Sequence, residues 1–375
     1  MQPTDINEHN GGDDQMTTID PYKVLMTNLK YPDSNRLRAI LENLLTPDQA
    51  GIVAALPGTV DETAQKTGLA SERVKKELDT LFYAGVVFPK GDFKDRQFYR
   101  FARSIGQFHD ASQAAKGRDV VKDREFYRLW REFLMNEWYP DRGKLYANLP
   151  QPHSRIVPAY KTIKDIPGIL PCEDIRELFK AQERIAVVPC SCRYRTTAVD
   201  EHCAHTAEED LWHCIQLNRG ADYSMAREAG KELNLEEAIG LIDKIEEDGL
   251  LHIWGNNNSL GGGNVSCHCC RDCCMMTVPL DMENVPLDKM WQKSRFIALV
   301  DQDACIGCQA CVDRCQFDAI EMVKAVSGGK SKKLKAIVDP EACFGCGVCV
   351  LGCDKAHALS MKLVRPPDHI PTKEG

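Results

Sequence analysis

Eight cysteines toward the end of the chain fall into two runs with the same spacing. The runs are Cys305, Cys308, Cys311 and Cys315, then Cys343, Cys346, Cys349 and Cys353. Three thiolates with two residues between neighbours can reach three corners of one iron–sulfur cubane. The fourth thiolate, with three residues between it and the third, is expected at a helix start and points away from the other three. The spacing therefore predicts two [4Fe–4S] clusters that exchange their fourth ligands and transfer electrons.

This exchange gives each cluster ligands from both runs. Cluster one is expected to take Cys305, Cys308, Cys311 and Cys353, and cluster two Cys343, Cys346, Cys349 and Cys315. Zinc is the alternative, because structural zinc sites also use four ligands and commonly pairs of cysteines with two residues between them. Two complete quartets with one shared spacing favour iron–sulfur clusters over zinc.

The repeated run resembles that of the bacterial two-[4Fe–4S] ferredoxin family, which implies a ferredoxin-like domain at residues 291–375. Its paired hairpins would contain the strands Phe296–Val300, Ala319–Met322, Ala336–Val338 and Leu359–Leu363. Proline usually follows each fourth cysteine in that family, whereas Gln316 and Asp354 stand there in this chain. Each restores a backbone N–H that can hydrogen-bond near a sulfur and change the potential of a cluster.

Nine further cysteines lie upstream in two closely spaced groups. They are Cys190, Cys192, Cys203 and Cys214, then Cys267, Cys269, Cys270, Cys273 and Cys274. The side chains of neighbours such as Cys269 and Cys270 diverge, so they suit two sites on opposite sides of a loop. We expect two more cubanes with one thiol to spare, which would bring the chain to about sixteen irons. One cluster plus zinc, or one larger cluster, are the alternatives.

Other side chains near these cysteines are weaker candidates. Four histidines among them could replace a thiolate, although a place outside the ligand set is favoured for each. These histidines are His202, His205, His213 and His268. Cys172 stands apart and is interpreted as an ordinary buried thiol.

The cysteine-rich region, residues 169–290, carries motifs beyond its cysteines. They are Leu170-Pro171-x-Glu173-Asp174, a run from Ala186 to Arg193, Glu237-Ala238, and Gly249-Leu250-x-His252. Together with the closing cysteines, they resemble a domain found beside ferredoxin modules in anaerobic iron–sulfur proteins. The resemblance implies a redox context rather than one reaction. That family has a further cysteine where Asp272 stands here, which leaves the ligand set open.

Two elements must position the nine cysteines. Arg184–Val188 is a short apolar run, which predicts a strand that delivers Cys190 into a loop. Glu236–Asp248 has the pattern of an amphipathic helix that begins at an Asn234 cap. Such a helix can fold one half of the region onto the other, so each site is expected to draw ligands from both halves.

The preceding segments predict a multi-domain α+β protein. Residues 1–20 are polar and acidic, which is typical of a disordered tail. Residues 21–115 have the element order of a winged-helix domain, helices followed by a hairpin, and the segment 59–101 resembles that family. Residues 116–168 are interpreted as a connector, with an aromatic-rich helix at Glu125–Tyr139 and then an extended linker punctuated by prolines.

Composition indicates the cellular setting. All eighteen cysteines follow residue 171, and the chain begins with no basic and apolar export signal. Because no apolar run is long enough to cross a bilayer, we expect a cytoplasmic protein with reduced cysteines and no membrane insertion. A formal net charge of −8 argues weakly against nucleic acid as the main partner.

These observations favour an electron carrier or wiring subunit that serves an anaerobic oxidoreductase, with a redox protein such as a flavoprotein as its partner. The region 21–115 would then be a protein-docking module. One alternative is a redox-sensing transcription regulator that uses the winged helix on DNA. Another is an enzyme whose cysteine-rich domain holds a catalytic cluster with an open iron.

Overall fold

The computed structural model describes residues 20–201, 203, 211–256, 263–324 and 334–370. Within these ranges the architecture is α+β, with several separate sheets and helices packed around them, as the sequence predicts. His202, His205 and all but the last residue of the predicted tail lie outside the described residues.

The N-terminal region contains the predicted helices and hairpin. Its helices are α1 Pro21–Asn28, α2 Asn35–Leu44, α3 Pro47–Ala54, α4 Val60–Thr67 and α5 Ser71–Tyr83. Its strands, β1 Gly58–Thr59, β2 Val87–Lys90 and β3 Phe98–Phe101, form a sheet of order β1-β3-β2. Thr46 and Thr59 begin α3 and α4 with capping boxes that satisfy the first free N–H groups. The winged-helix assignment itself stays a prediction.

The aromatic helix of the connector packs against this N-terminal core. The next helices are α6 Ile105–Gln113, α7 Arg124–Phe133 and α8 Tyr139–Ala147, with a π-helical turn at Leu134–Trp138 between the last two. Phe126, Trp130 and Phe133 on α7 are fully or almost fully buried in the same cluster as the residues of α1–α5. The aromatic residues of the predicted helix therefore serve packing.

The predicted extended linker is wrong for part of its length. Pro140 is the second residue of α8, which continues directly from the π-helical turn, so this proline lies within helix rather than in an extended linker. Beyond it, Ser154–Val157 is a wholly buried strand, β4, that pairs with a strand more than 90 residues later. Frequent prolines indicate a segment without regular structure, but they carry no information about whether a distant strand pairs with that segment.

The largest sheet in the described residues has the order β10-β4-β8-β9-β6-β5-β7. Its strands after β4 are β5 Ile185–Val188, β6 Cys214–Leu217, β7 Lys231–Leu233, β8 Leu251–Gly255, β9 Val265–Cys269 and β10 Trp291–Gln292. Since β4 and β10 lie outside residues 169–290, the sheet extends beyond both predicted bounds of the cysteine-rich region.

Helices surround this sheet and fix its loops. They are α9 Tyr160–Ile163, α10 Ile175–Lys180, α11 Ser191–Ala198, α12 Arg219–Ala226, α13 Leu235–Glu247 and α14 Val278–Met282. The predicted strand at Arg184–Val188 and the predicted helix at Glu236–Asp248 correspond to β5 and α13, and Asn234 caps α13.

Two hairpin-like pairs of strands and two one-turn helices form the C-terminal region. They are β11 Phe296–Val300, α15 Ala310–Asp313, β12 Ile320–Lys324, β13 Leu334–Val338, α16 Val348–Leu351 and β14 Leu359–Leu363. β11 pairs with β14 and β12 with β13, both antiparallel. The predicted strands recur within two residues of their predicted ends.

A buried ion pair ties the C-terminal region to the cysteine-rich region. Arg295 Nη1 lies 2.8 Å from Glu173 Oε2, and both side chains are at most 3% exposed. Glu173 also accepts a hydrogen bond from the backbone N–H of Leu170 at 2.9 Å. Removing one partner leaves an uncompensated buried charge, which is more costly than losing the pair.

We expect Glu173→Ala to destabilise the protein by about 3–5 kcal/mol, because Arg295 would stay buried without its carboxylate. The measurement is the urea concentration at which half of the visible cluster absorbance is lost under anaerobic conditions. Glu177→Ala, which removes an exposed carboxylate paired with Lys180, is the control. Equal midpoints for the two variants would contradict the prediction.

Candidate metal centres

The first cavity of the C-terminal region is lined by cysteines of both runs. Cys305, Cys308 and Cys311 come from the loop before α15 and from α15 itself, and Cys353 follows α16. Gly307 allows the tight turn, since its φ is +76° and a Cβ atom would lie 2.4 Å from the Leu334 carbonyl oxygen.

The second cavity repeats this arrangement with the roles exchanged. Cys343, Cys346 and Cys349 line it together with Cys315, which follows α15. The prediction that the fourth cysteine of each run begins a helix is wrong, because Cys315 and Cys353 both follow one-turn helices. Each of the two cavities encloses ≈ 330 Å³ when the part open to solvent is included. The fourth cysteine of each run thus lies in the cavity of the other run, the arrangement that the spacing predicts for two cubanes.

Burial favours the neutral thiol form of three cysteines of the second cavity, Cys315, Cys346 and Cys349, because it raises the pKa of each. It raises the pKa of Cys346 to about 12 and, together with the nearby thiolates of Cys346 and Cys315, raises the pKa of Cys349 well above its ordinary value. Metal ligation requires thiolates, so loading this cavity must release protons.

Gln316 and Asp354 stand where the ferredoxin family has proline, and each is expected to donate a backbone hydrogen bond near a cluster sulfur. The structure shows other donors. Among the described contacts, the N–H groups that donate to the fourth cysteines include those of Ala319, 3.4 Å from Cys315 Sγ, and Ala358, 3.3 Å from Cys353 Sγ, but not those of Gln316 and Asp354. Gln316 instead uses its side chain: Oε1 accepts from the backbone N–H of Arg271 at 2.8 Å, and Nε2 donates to the Gly249 carbonyl at 2.6 Å.

The nine cysteines of the cysteine-rich region separate into two groups. We name Cys203, Cys270 and Cys273 the cysteine trio. The six-cysteine group consists of Cys190, Cys192, Cys214, Cys267, Cys269 and Cys274. Both groups draw on both halves of the region. Neighbours in sequence are divided, with Cys269 and Cys274 in one group and Cys270 and Cys273 in the other, as their diverging side chains predict.

Strands and a helix position the cysteines of the six-cysteine group. Cys190 follows β5, Cys192 lies in the first turn of α11, and Cys214 begins β6. Cys267 and Cys269 are two residues apart on β9, so they share one face of that strand. All six line one cavity of ≈ 2020 Å³, including the part open to solvent, which is several times larger than the C-terminal cavities.

The cysteine trio is much tighter. The Sγ atoms of Cys203 and Cys270 are 3.3 Å apart, and those of Cys270 and Cys273 are 2.8 Å apart. A carboxylate oxygen of Asp272 lies within 4.8 Å of all three sulfurs. The sequence signals Asp272 only as a departure from a family pattern, and its place beside the trio depends on the fold of the loop.

A buried arginine supplies positive charge to both groups. Arg193 is fully buried, and its Nη2 donates to the His268 carbonyl at 2.8 Å and contacts Cys270 Sγ at 3.8 Å. Burial alone would lower the pKa of Arg193, but the thiolates of Cys190 and Cys270 raise it well above its ordinary value. Arg193 therefore remains a cation, a role that no sequence motif indicated.

Of the other sequence candidates, His213 and His268 line the six-cysteine cavity, whereas Cys172 does not. His268 Nδ1 lies 2.9 Å from His252 Nδ1, and burial lowers the pKa of His268 well below its ordinary value. Burial lowers the pKa of His213 to about 4, with a further contribution from Arg193. Cys172 is buried away from the other cysteines, beside Arg155.

Comparison with known proteins identifies one segment. Residues 304–356 match the model of the 4Fe-4S dicluster domain family. The matched segment contains all eight cysteines of the two runs, so iron–sulfur binding by the C-terminal region agrees with the sequence prediction. No curated protein and no solved structure matches the chain.

The described helices also bear on the membrane expectation. In the part of the chain that the structure describes, no helix combines the length and the apolar character that crossing a bilayer requires.

The shared lining of the two C-terminal cavities makes a prediction about Cys315→Ser. Although Cys315 belongs to the first run, we expect its loss to perturb the cluster held by Cys343, Cys346 and Cys349. The electron paramagnetic resonance spectrum of the reduced protein measures this, with Cys308→Ser as the opposite case and Cys172→Ser as the silent control. Damage confined to the cluster of Cys305–Cys311 would disprove the exchange.

Proposed function

We propose that the chain is an iron–sulfur electron-transfer protein that passes single electrons to or from an oxidoreductase. The observation that carries the proposal is the pair of adjoining cavities, each lined by four cysteines, within a segment that matches a dicluster family. Two cubanes with interlocked ligands lie close together, and such proximity is what electron exchange between them requires. The protein sets their potentials through burial and hydrogen bonds.

The first cavity is the proposed entry and exit point for electrons. Cys308 is exposed, and Ile306 in the same loop is 55% exposed. An apolar side chain beside an accessible ligand suits a transient redox partner, which must approach the cluster closely without binding permanently. A flavoprotein or another oxidoreductase of anaerobic metabolism would fit this role, and the setting would be cytoplasmic.

The second cavity faces the interior of the protein. The backbone N–H of Ala159 donates to the Cys346 carbonyl at 2.9 Å. Arg314, next to Cys315, donates to the carbonyls of Glu246 and Glu247 at the end of α13, at 2.9 and 3.0 Å. These contacts hold the second cluster against the cysteine-rich region.

Gln316 provides a hydrogen-bonded connection between the two cysteine regions. It follows Cys315 directly, and its side chain accepts from the backbone of Arg271, which follows Cys270. Covalent bonds and one hydrogen bond thus join a cysteine of the second cavity to the loop Cys270–Cys274. We propose that electrons pass from this side to a further iron–sulfur cluster in the six-cysteine group.

A catalytic cluster in the cysteine-rich region is the second candidate function. The six-cysteine cavity is larger than one cubane needs, and it adjoins another cavity to which Cys214 and Asp110 also belong. Arg100, Arg103 and Arg219 line that neighbour, and none of them forms an ion pair with a described carboxylate. An anionic substrate fits this arrangement. A small anion that altered the spectrum of the middle cluster would favour an enzyme over a carrier.

The regulator alternative receives less support from the helix that would meet DNA. On α5, Arg73 pairs with Asp48 and Lys75 pairs with Asp79. Cations already engaged by carboxylates have less to gain from phosphates, so protein docking remains the proposed role of residues 21–115.

We expect Gln316→Ala to slow electron equilibration between the C-terminal pair and the middle cluster several-fold, while iron content stays unchanged. The physical reason is that the variant removes the hydrogen bond to Arg271 but leaves every cysteine in place. Rapid freeze-quench paramagnetic resonance after photoreduction measures the rate.

Asp354→Ala is the matched control for that experiment, because Asp354 holds the equivalent position after the other fourth cysteine and is exposed. Identical rates in the two variants would show that electrons do not use the Gln316 connection.

The full-length protein should show no sequence-selective DNA binding. Any weak binding should vanish between about 50 and 200 mM salt, because counterion release would supply most of its free energy. A gel-shift series over this salt range measures it. A selective shift that persists at high salt with nanomolar protein would replace the carrier proposal with the regulator.

A further inference from the structure

We propose that Cys203, Cys270, Asp272 and Cys273 bind one zinc ion, at a site separate from the iron–sulfur clusters. The inference does not depend on the proposed electron transfer, because it rests on the spacing and chemistry of these four side chains alone.

The spacing of the ligand atoms is much nearer to that around one ion than to that around a cubane, with the Sγ atom of Cys270 3.3 Å from that of Cys203 and 2.8 Å from that of Cys273. Zinc–sulfur bonds of about 2.3 Å in a tetrahedron place neighbouring sulfurs about 3.8 Å apart. The four candidate ligand atoms all lie within 4.8 Å of one another. The thiolates of a cubane must be more widely separated, because they project from the corners of a body of four irons and four sulfides.

The C-terminal cavities provide an internal reference for this comparison. Their eight cysteines lie in a segment that matches a dicluster family, and each quartet surrounds an open space. Among the described residues, the group of Cys203, Cys270, Asp272 and Cys273 brings its ligand atoms within reach of a single ion, whereas neither quartet does so. The described part of the protein therefore contains two cysteine quartets with the wide spacing of a cubane and one group of ligands with the tight spacing of a single ion.

The chemical types of the four ligand atoms indicate which metal ion the site binds. Three sulfurs and one oxygen in tetrahedral reach suit zinc, which binds cysteine and aspartate, whereas magnesium and calcium require oxygen ligands. Three thiolates and a carboxylate outweigh the charge of a divalent ion and leave a net negative charge. The guanidinium of Arg193, 3.8 Å from Cys270 Sγ and fully buried, is in position to balance it.

The ion would have a structural role. It would fix the loop Cys270–Cys273, on which both the six-cysteine group and the contact with the C-terminal region depend. The loop from Cys270 to Cys273 is flanked by Cys269 and Cys274, which both belong to the six-cysteine group. It also carries Arg271, whose backbone meets Gln316. Zinc at the centre of the loop would hold the six-cysteine group and the C-terminal contact in a fixed relation.

Metal analysis of the full-length protein, prepared anaerobically, tests the proposal. We expect one zinc per chain and at most about twelve irons, with sulfide equal to the iron; about twelve corresponds to one cluster in the six-cysteine group and about eight to none. Cobalt exchanged into the zinc site should give the intense visible bands of tetrahedral cobalt with thiolate ligands. Absence of zinc, or about sixteen irons with matching sulfide, would overturn the proposal.

Variants at Asp272 identify the fourth ligand. Asp272→Ala should lower zinc affinity by more than about tenfold in a chelator competition, since losing even an outer partner can cost that much. Asp272→Cys should retain zinc and shift the cobalt bands toward those of a four-sulfur site, which excludes misfolding as the cause. Asp288→Ala, at another exposed aspartate, is the matched control. Equal zinc affinity in Asp272→Ala and Asp288→Ala would overturn the assignment of Asp272.

Discussion

Buried thiolates repel one another and lose their hydration, so a fold that gathers many of them must bring cations to the same place. The second C-terminal cavity illustrates the constraint, because burial raises the pKa of both Cys346 and Cys349. Protein side chains can supply only part of the compensation, as the buried guanidinium of Arg193 does beside Cys270. Metal must supply the rest, and metal loading is therefore coupled to completion of the fold.

The same repulsion accounts for the division of the cysteine-rich region into two groups. Adjacent residues on a chain point in different directions, so the pairs Cys269–Cys270 and Cys273–Cys274 each contribute one sulfur to either side of their loop. The loop backbone then separates two concentrations of negative charge that would otherwise merge. Arg193, which contacts the loop from α11, lowers the cost on both sides at once.

The sequence predicts those features that depend on local spacing. Three cysteines with two residues between neighbours can reach one cavity whatever the rest of the chain does, and the strands Phe296–Val300 and Leu359–Leu363 follow from the alternation of their own residues. Features that depend on distant partners escape prediction. Strand β4 looks like proline-punctuated linker until it pairs with β8, and Asp272 is only a polar loop residue until Cys203 is folded against it.

Gln316 follows Cys315, and Asp354 follows Cys353. These two residues show how the fold makes the two ends of an almost symmetric pair of clusters different. Both depart from the proline of the ferredoxin family, but their surroundings differ. Gln316 is 5% exposed and binds Arg271 and Gly249, whereas Asp354 faces solvent. Cys315 lines the second cavity and Cys353 lines the first. The buried residue Gln316 therefore lies beside the inner cavity, and the exposed residue Asp354 lies beside the outer one.

An amide that bonds two backbone groups can dock one end of the cluster pair against a neighbouring region, which proline could not do because its side chain has no donor or acceptor. The other end stays free for a partner, and this difference makes a symmetric pair of cavities into a path with two distinct ends.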